Sequence, residues 1–254
     1  MSKEVVALFD RVADRYDEVL PFFGELGRLC VDRLPAPGPG GRLLDIGAGR
    51  GAIAVAAHAR GYAVTATDAS PGMVERLRAD HPEFDVRVMD AGRIDADDDT
   101  FNVVTAGFVM HLLDDPQAAV REIKRVLKPG GIFAITGPGR MPDGFEFADI
   151  SHALFAEFSR YLPPGGSMGE PFDELEALAE AGFTDIDETD LRIELPVADA
   201  ETFWQWFQTH GTRKFLDELD ADRRAQFRAR LIDDLESRDR IVLRGYAWLS
   251  RGRA

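Results

Sequence analysis

The stretch LLDIGAGRGAIA at residues 43–54 sets Gly47, Gly49 and Gly51 in alternation behind a short apolar run that carries an acid, Asp45. One tight turn needs one glycine. Three in five positions point to a backbone that something must approach closely, because glycine puts no Cβ in the way. A dinucleotide is one ligand for such a loop, with the spacing G-x-G-x-x-G and its pyrophosphate on the following helix N-terminus. Here the third glycine follows the second by only two, and Ala52 stands at the dinucleotide position, where alanine is tolerated. The loop alone therefore leaves a nicotinamide-dependent oxidoreductase open.

Other reactive groups are sparse. Cys30 is the single cysteine, so no internal disulfide can form, and a buried thiol in a reducing cytoplasm is expected. The run DADDD at 95–99 could suggest a metal, but adjacent acids on one loop rarely converge on one ion, and a solvated turn is expected. No histidine or cysteine spacing suits a metal site. His58 and His81 stand at helix ends and are read as surface residues.

The elements that must position the loop follow from pattern. GRLLDIG reads as a buried strand, AIAVAAHAR as a helix stopped by Gly61, and YAVTATD as the next strand. SPGMVERLRAD starts a helix with Ser70 as cap and Pro71 at its first position. FDVRVMD, FNVVTAGF and GIFAITG are further strands, and DPQAAVREIKRV is a helix with a basic last turn before a Pro-Gly-Gly stop. Strands alternating with helices imply a parallel sheet covered on both faces. The second half breaks the rhythm. FEFADISHALFAEFSRYL reads as an aromatic amphipathic helix ended by PPGG, and PFDELEALAEAGF as another helix. TDIDETDLRIELPV reads as a strand, two helical runs cover 200–219 and 223–237, and IVLRGYAWLSRG is a final strand.

The 254 residues carry a formal net charge of −15, which repels a phosphate backbone. RRAQFRAR is interleaved with acids and reads as a solvated helix face. Neither nucleic acid nor a membrane surface is expected as partner. The longest apolar runs are too short to span a bilayer, and the N-terminus lacks the apolar core of a signal peptide.

LLDIGAGRG with its acid, Asp68 ending the second strand, VMDA ending the third, FNVVTAGFVMHLLDD and VLKPGG occur in order, and together they resemble the motifs of the class I S-adenosylmethionine-dependent methyltransferases. FDRVADRYDEVLPFF looks like the opening helix of the ubiquinone/menaquinone type. The resemblance is close over residues 5–137 and holds in outline beyond. It implies a Rossmann-like, doubly wound α/β fold, with a mainly parallel seven-stranded sheet, an antiparallel last strand and an added helical lid. One methyltransferase domain is expected over 1–254: a helical cap at 1–35, a cofactor core at 36–137 and lid or substrate insertions at 138–170 and 199–237. The core's last helix and strands are then expected at 171–198 and 238–254.

The resemblance also assigns a cofactor, S-adenosylmethionine, with S-adenosylhomocysteine as product and no metal. Its seat would be Asp45, Gly47, Ala48, Gly49 and Gly51, with Asp68 on the ribose, Asp90 at the adenine, and Ala69, Met73 and Ala91 as further cofactor contacts. Gly107 on the fourth strand and Tyr16 on the opening helix complete it. This ligand has a cationic sulfonium and no pyrophosphate, so it needs close backbone approach beside an acid, which Asp45 supplies. After Asp90 the sequence departs from the family's apolar-proline pair, and Ile94 is the apolar substitute.

Methyl transfer needs an acceptor held in line with water excluded, and a base only where the acceptor arrives protonated. His111, just past the fourth strand, is the candidate base, with a pocket-wall role as its alternative. His152, Phe155, Trp204, Phe207 and His210 are the candidate substrate contacts in the lid, where dense aromatics could equally be core. The expectation is one apolar pocket with His111 at its floor and lid aromatics on its walls. A small-molecule acceptor, a secondary metabolite or a quinone- or phenol-like compound, suits such a lid, and the richness in Ala, Arg, Asp and Gly suits a GC-rich bacterial source. A monomer and a homodimer are both open, as is a member of the fold that binds the cofactor without methylating.

Overall fold

The computed structural model describes residues 1–162 and 172–254. Seven strands form one sheet in the order β3-β2-β1-β4-β5-β7-β6. They are β1 (Arg42–Ile46), β2 (Ala63–Asp68), β3 (Asp85–Val88), β4 (Phe101–Gly107), β5 (Leu127–Gly137), β6 (Thr184–Val197) and β7 (Ile241–Arg253). β1 pairs in parallel with β2 and β4, and only β7 runs against the rest, between β5 and β6. The strand order reverses between β1 and β4, so the crevice beyond their carboxyl ends lies at the switch point of the sheet. The glycine run of the sequence begins there.

Both faces of the central strands are apolar because both are covered. On one face Leu43, Val103 and Ala134 pack against α2 (Phe22–Asp32), α3 (Ala52–Ala59) and α4 (Pro71–Asp80). On the other, Leu44, Val104 and Phe133 pack against α5 (Pro116–Val126) and α7 (Glu174–Glu180). The expected cap holds, Ser70 accepting from Met73 N, and Asp115 caps α5 by accepting from Ala118 N. Cys30 is buried at the α2–sheet contact.

A third apolar core belongs to helices at the carboxyl edge: α6 (Ser151–Phe158), α8 (Ala200–Phe207) and α10 (Ala221–Glu236), with Leu216 of α9 (Thr212–Glu218). Helices α8–α10 leave the sheet after Val197 and return at Ile241, and these two residues face each other across β6 and β7.

Local differences from the sequence reading have local causes. The aromatic helix begins only at Ser151, because Asp149 takes the Ser151 N–H as the chain turns into it. Helix α5 ends at Val126 and the Lys-Pro-Gly-Gly stretch is already inside β5. The opening helix is two helices, α1 (Lys3–Val12) and α2, joined by turns, so Tyr16 stands in a turn and not on a helix. The PPGG stop and the junction between the first lid segment and the core lie outside the described residues.

The lid aromatics form a core of their own. Phe155 stacks on Phe207 with ring centroids 5.5 Å apart, and Phe227 lies against Phe155, Phe158, Phe207 and Phe215. Truncating Phe227, 0% exposed, to alanine will therefore destabilise the fold by about 3–5 kcal/mol. Urea unfolding measures it, and a loss below about 1 kcal/mol would contradict this packing.

Candidate active site

Helix α3 begins on Gly51, in a left-handed conformation (φ 90°) and without a side chain that could cap it. The first turn of a helix leaves N–H groups without partners. Asp45, at the end of β1, meets one of them from inside the sheet: its Oδ2 accepts from Ala54 N at 3.1 Å. Its Oδ1 accepts from Thr105 Oγ1 on β4 at 2.8 Å. Burial pushes this carboxyl up to about 7 against the pull of those two bonds, and the nearby Asp68 charge adds to the rise.

The three glycines of the loop serve different ends. A Cβ on Gly47 (φ 63°) would lie 2.1 Å from Val109 Cγ2, and one on Gly51 would lie 2.7 Å from Leu77 Cδ1. Both positions are closed by packing. A Cβ on Gly49 (φ 54°) would meet only Tyr16 Cε1, at 3.9 Å. Gly49 is thus the glycine with room before it. Asp68, at the end of β2, fixes the loop from the other side, accepting from Gly49 N at 2.9 Å and Ser70 N at 2.8 Å. Burial raises its pKa as well, opposed by those amides.

The segment between α1 and α2 forms the cover. Asp17, itself in the left-handed region (φ 57°), accepts from Phe23 N at 3.0 Å and Gly24 N at 2.8 Å. It caps α2, whose own N-cap is Pro21 and offers no side-chain bond. Burial pushes the Asp17 carboxyl up to about 6, with the amides and Arg50 pulling it down. Phe23 then stacks on Tyr16 (5.3 Å, 12°) and meets Phe108 edge-on (5.3 Å, 78°). Phe108 follows β4 at a φ of 56°, a conformation that side chains rarely adopt and that concentrates at functional sites. Arg50 fastens the cover to the loop, donating to Ala13 O at 2.9 Å and pairing with Asp80 at 2.6 Å.

These groups enclose a cavity of about 820 Å³. Of the residues singled out in the sequence, Tyr16, Asp45, Gly47, Ala48, Gly49, Gly51 and Gly107 line it. Asp68 stands behind the loop, Ala69 is half-buried beside it, and Met73 and Ala91 are buried in the core. Asp90 is exposed, its carboxylate turned onto Gly92 N at 2.8 Å, because a tight turn there claims it. Ile94 is buried against α5 and lines a separate small cavity.

The expected acceptor pocket is corrected. Phe155, Trp204 and Phe207 do not line the cavity; they pack into the helical core, where ring-on-ring burial holds them. His152 is exposed and stacks on Phe147. His210 is buried against Trp206, its ring nitrogen Nδ1 at 3.1 Å from Thr212 Oγ1, and burial drives its pKa down to about 3. His111 is half-buried in a single 3-10 turn (Met110–Leu112), does not line the cavity, and is held below its ordinary pKa by burial. His58 is exposed as expected, whereas His81 is half-buried on Phe84 and borders the cavity. The walls that sequence reading missed are Phe23 and Phe108; the positive φ of Phe108 leaves no mark in composition or periodicity.

Residues 44–135 match a family model described as a methyltransferase domain. A nocamycin O-methyltransferase of Saccharothrix syringae is 32% identical over 90% of this chain and 89% of its own length. The chain is a class I S-adenosylmethionine-dependent methyltransferase. Its activity is methyl transfer from that donor to a small-molecule acceptor. A demethylmenaquinone methyltransferase of Clavibacter sepedonicus is 36% identical over 52% of the methyltransferase and 57% of its own length. Among solved structures, the [4+2]-cyclase SpnF matches with a TM-score of 0.54 at 27% identity, covering 90% of this methyltransferase and 80% of that chain. The dinucleotide reading of the loop falls with the family assignment.

The unequal space before the glycines is measurable. Gly47→Ala forces both a left-handed alanine and the Val109 overlap, and will cost about 2–4 kcal/mol. Gly49→Ala bears only the backbone term, about 1–2 kcal/mol. Equal losses in denaturant titration would contradict the packing described.

Proposed function

We propose that this methyltransferase methylates an oxygen of a secondary metabolite or a quinone- or phenol-like compound. The observation that carries the reading is a glycine cradle set beside a buried carboxylate, in a chain whose near full-length relative is named an O-methyltransferase. The donor, when bound, supplies a methyl on a cationic sulfonium. Gly47, Ala48, Gly49 and Gly51 let it approach the backbone, and Asp45 provides the negative field that a cation requires. The second lone pairs of Asp68 remain for the ribose hydroxyls. Gly107 lies at the floor, and Tyr16 closes over the top.

Tyr16, Phe23 and Phe108 supply an apolar wall that keeps water from the reacting atoms. His111 is the proposed base for a hydroxyl acceptor. Burial keeps its imidazole neutral near pH 7, and no hydrogen bond ties it among the described residues. No group of three His, Cys, Asp or Glu side chains placed to hold a metal ion occurs among the described residues. A cytoplasmic place suits the reading, and no helix of the described residues is long and apolar enough to cross a membrane.

A second reading, a different reaction in the same pocket, draws on the likeness to a [4+2]-cyclase. Thermal unfolding and label transfer separate these. S-adenosylmethionine and S-adenosylhomocysteine will raise Tm and NAD will not, and methyl-labelled donor will pass its label to a phenolic acceptor panel. Donor binding without label transfer to any hydroxyl compound would favour the second reading. His111→Ala will lower turnover about 10²–10⁴-fold if it removes the acceptor's proton. A change confined to KM would reduce it to a wall.

A further inference from the structure

Two carboxyl groups stand at the loop, Asp45 buried and Asp68 half-buried, and neither has a cation. Asp45 is 2% exposed, and both its oxygens are spent on neutral donors, Ala54 N and Thr105 Oγ1. Asp68 is likewise held by the backbone N–H groups of Gly49 and Ser70. No ion pair among the described residues includes either acid. The other titratable groups facing them do not help: Cys30 from α2 is neutral, its thiol pushed up to about 12, and Tyr16 is held protonated by burial. Asp10 from α1 adds a further negative charge beside Asp68. Arg50 is engaged with Ala13, Glu18 and Asp80. Burying an unpaired charge is costly, and a group so placed takes up a proton instead.

We infer that Asp45, with Asp68 beside it, discriminates the charged methyl donor from its neutral-sulfur product by a proton. In the free enzyme the pair holds one proton between them. As the donor binds, the carboxylic O–H ionises, the proton passes to solvent, and the carboxylate left behind would counter the positive charge that the sulfonium brings into the cavity. S-Adenosylhomocysteine has no sulfonium and gives the pair no reason to ionise. The inference rests on the cofactor reading above. Its consequence is directional. Below the titration of the pair, donor binding must first expel a proton; above it, the carboxylates already attract the donor. Affinity for the donor therefore rises with pH, by up to about tenfold per pH unit for one proton released, and levels off above the titration. Affinity for the product stays flat.

Calorimetric titration of the full chain with S-adenosylmethionine and with S-adenosylhomocysteine, in two buffers of different ionisation enthalpy between about pH 6 and 8, counts the protons directly. The two ligands share their amino acid and nucleoside parts, so the difference isolates the sulfonium. We expect release of a proton with the donor, none with the product, and loss of the donor's pH dependence in Asp45→Asn. Asparagine keeps the local bonds, accepting from Ala54 N with its Oδ1 and donating its amide to Thr105 Oγ1. Equal proton counts for the two ligands, or undiminished release in the variant, would overturn the inference while leaving the cofactor reading intact. Failure of both ligands to bind would overturn the two together.

Discussion

A helix that starts on glycine cannot cap itself, and the rest of the site is arranged around that fact. Gly51 is held at a φ of 90°, which side chains rarely adopt, and Leu77 Cδ1 lies 2.7 Å from where its Cβ would stand. The missing cap is therefore supplied by Asp45, reaching from the adjoining strand to Ala54 N and steadied by Thr105 from the next strand. One carboxyl thus joins β1, β4 and α3 at the switch point of the sheet. The same carboxyl borders the cavity, so the group that shapes the loop is also the negative charge within it. Structure and electrostatics are set by one residue and cannot be tuned separately.

The cover is held in a different manner from the sheet. The sheet rests on apolar burial across both faces, whereas the N-terminal segment adds polar links to a few buried residues, Leu8, Ala13 and Leu20. Asp10 accepts from Gly72 N at 2.9 Å, Arg76 pairs with Asp14, and Arg50 holds Ala13 O. Exposed ion pairs contribute little each and weaken with salt. Asp17 adds order within the cover, since the cap it gives α2 sets Phe23 over the cavity.

The order of strands and helices, the cap at Ser70 and the loop glycines were legible in the sequence because each is a local signal. Periodicity, a capping residue and a cluster of glycines all act within a few residues. What could not be read depends on distant partners. Tyr16 looks helical by composition, yet Asp17 and Pro21 break the helix there. The lid aromatics look equally like a pocket and a core, and only their mutual stacking decides for the core. Phe108 gains its place from a left-handed backbone that nothing around it in sequence announces. Asp68 was read as a ligand contact, and the structure gives its oxygens a prior duty to the loop amides.

Helices α8–α10 leave β6 at Val197 and rejoin β7 at Ile241, and these residues are cross-strand partners. Topologically α8–α10 are the loop of one long hairpin, with its exit and its return a single strand spacing apart. Whatever that loop contains, its ends make the same demand on the sheet. The layer also buries its aromatics chiefly among themselves. Such an insert can be lengthened, repacked or exchanged in descent without moving the register of β6 on β7 or the crevice at β1 and β4.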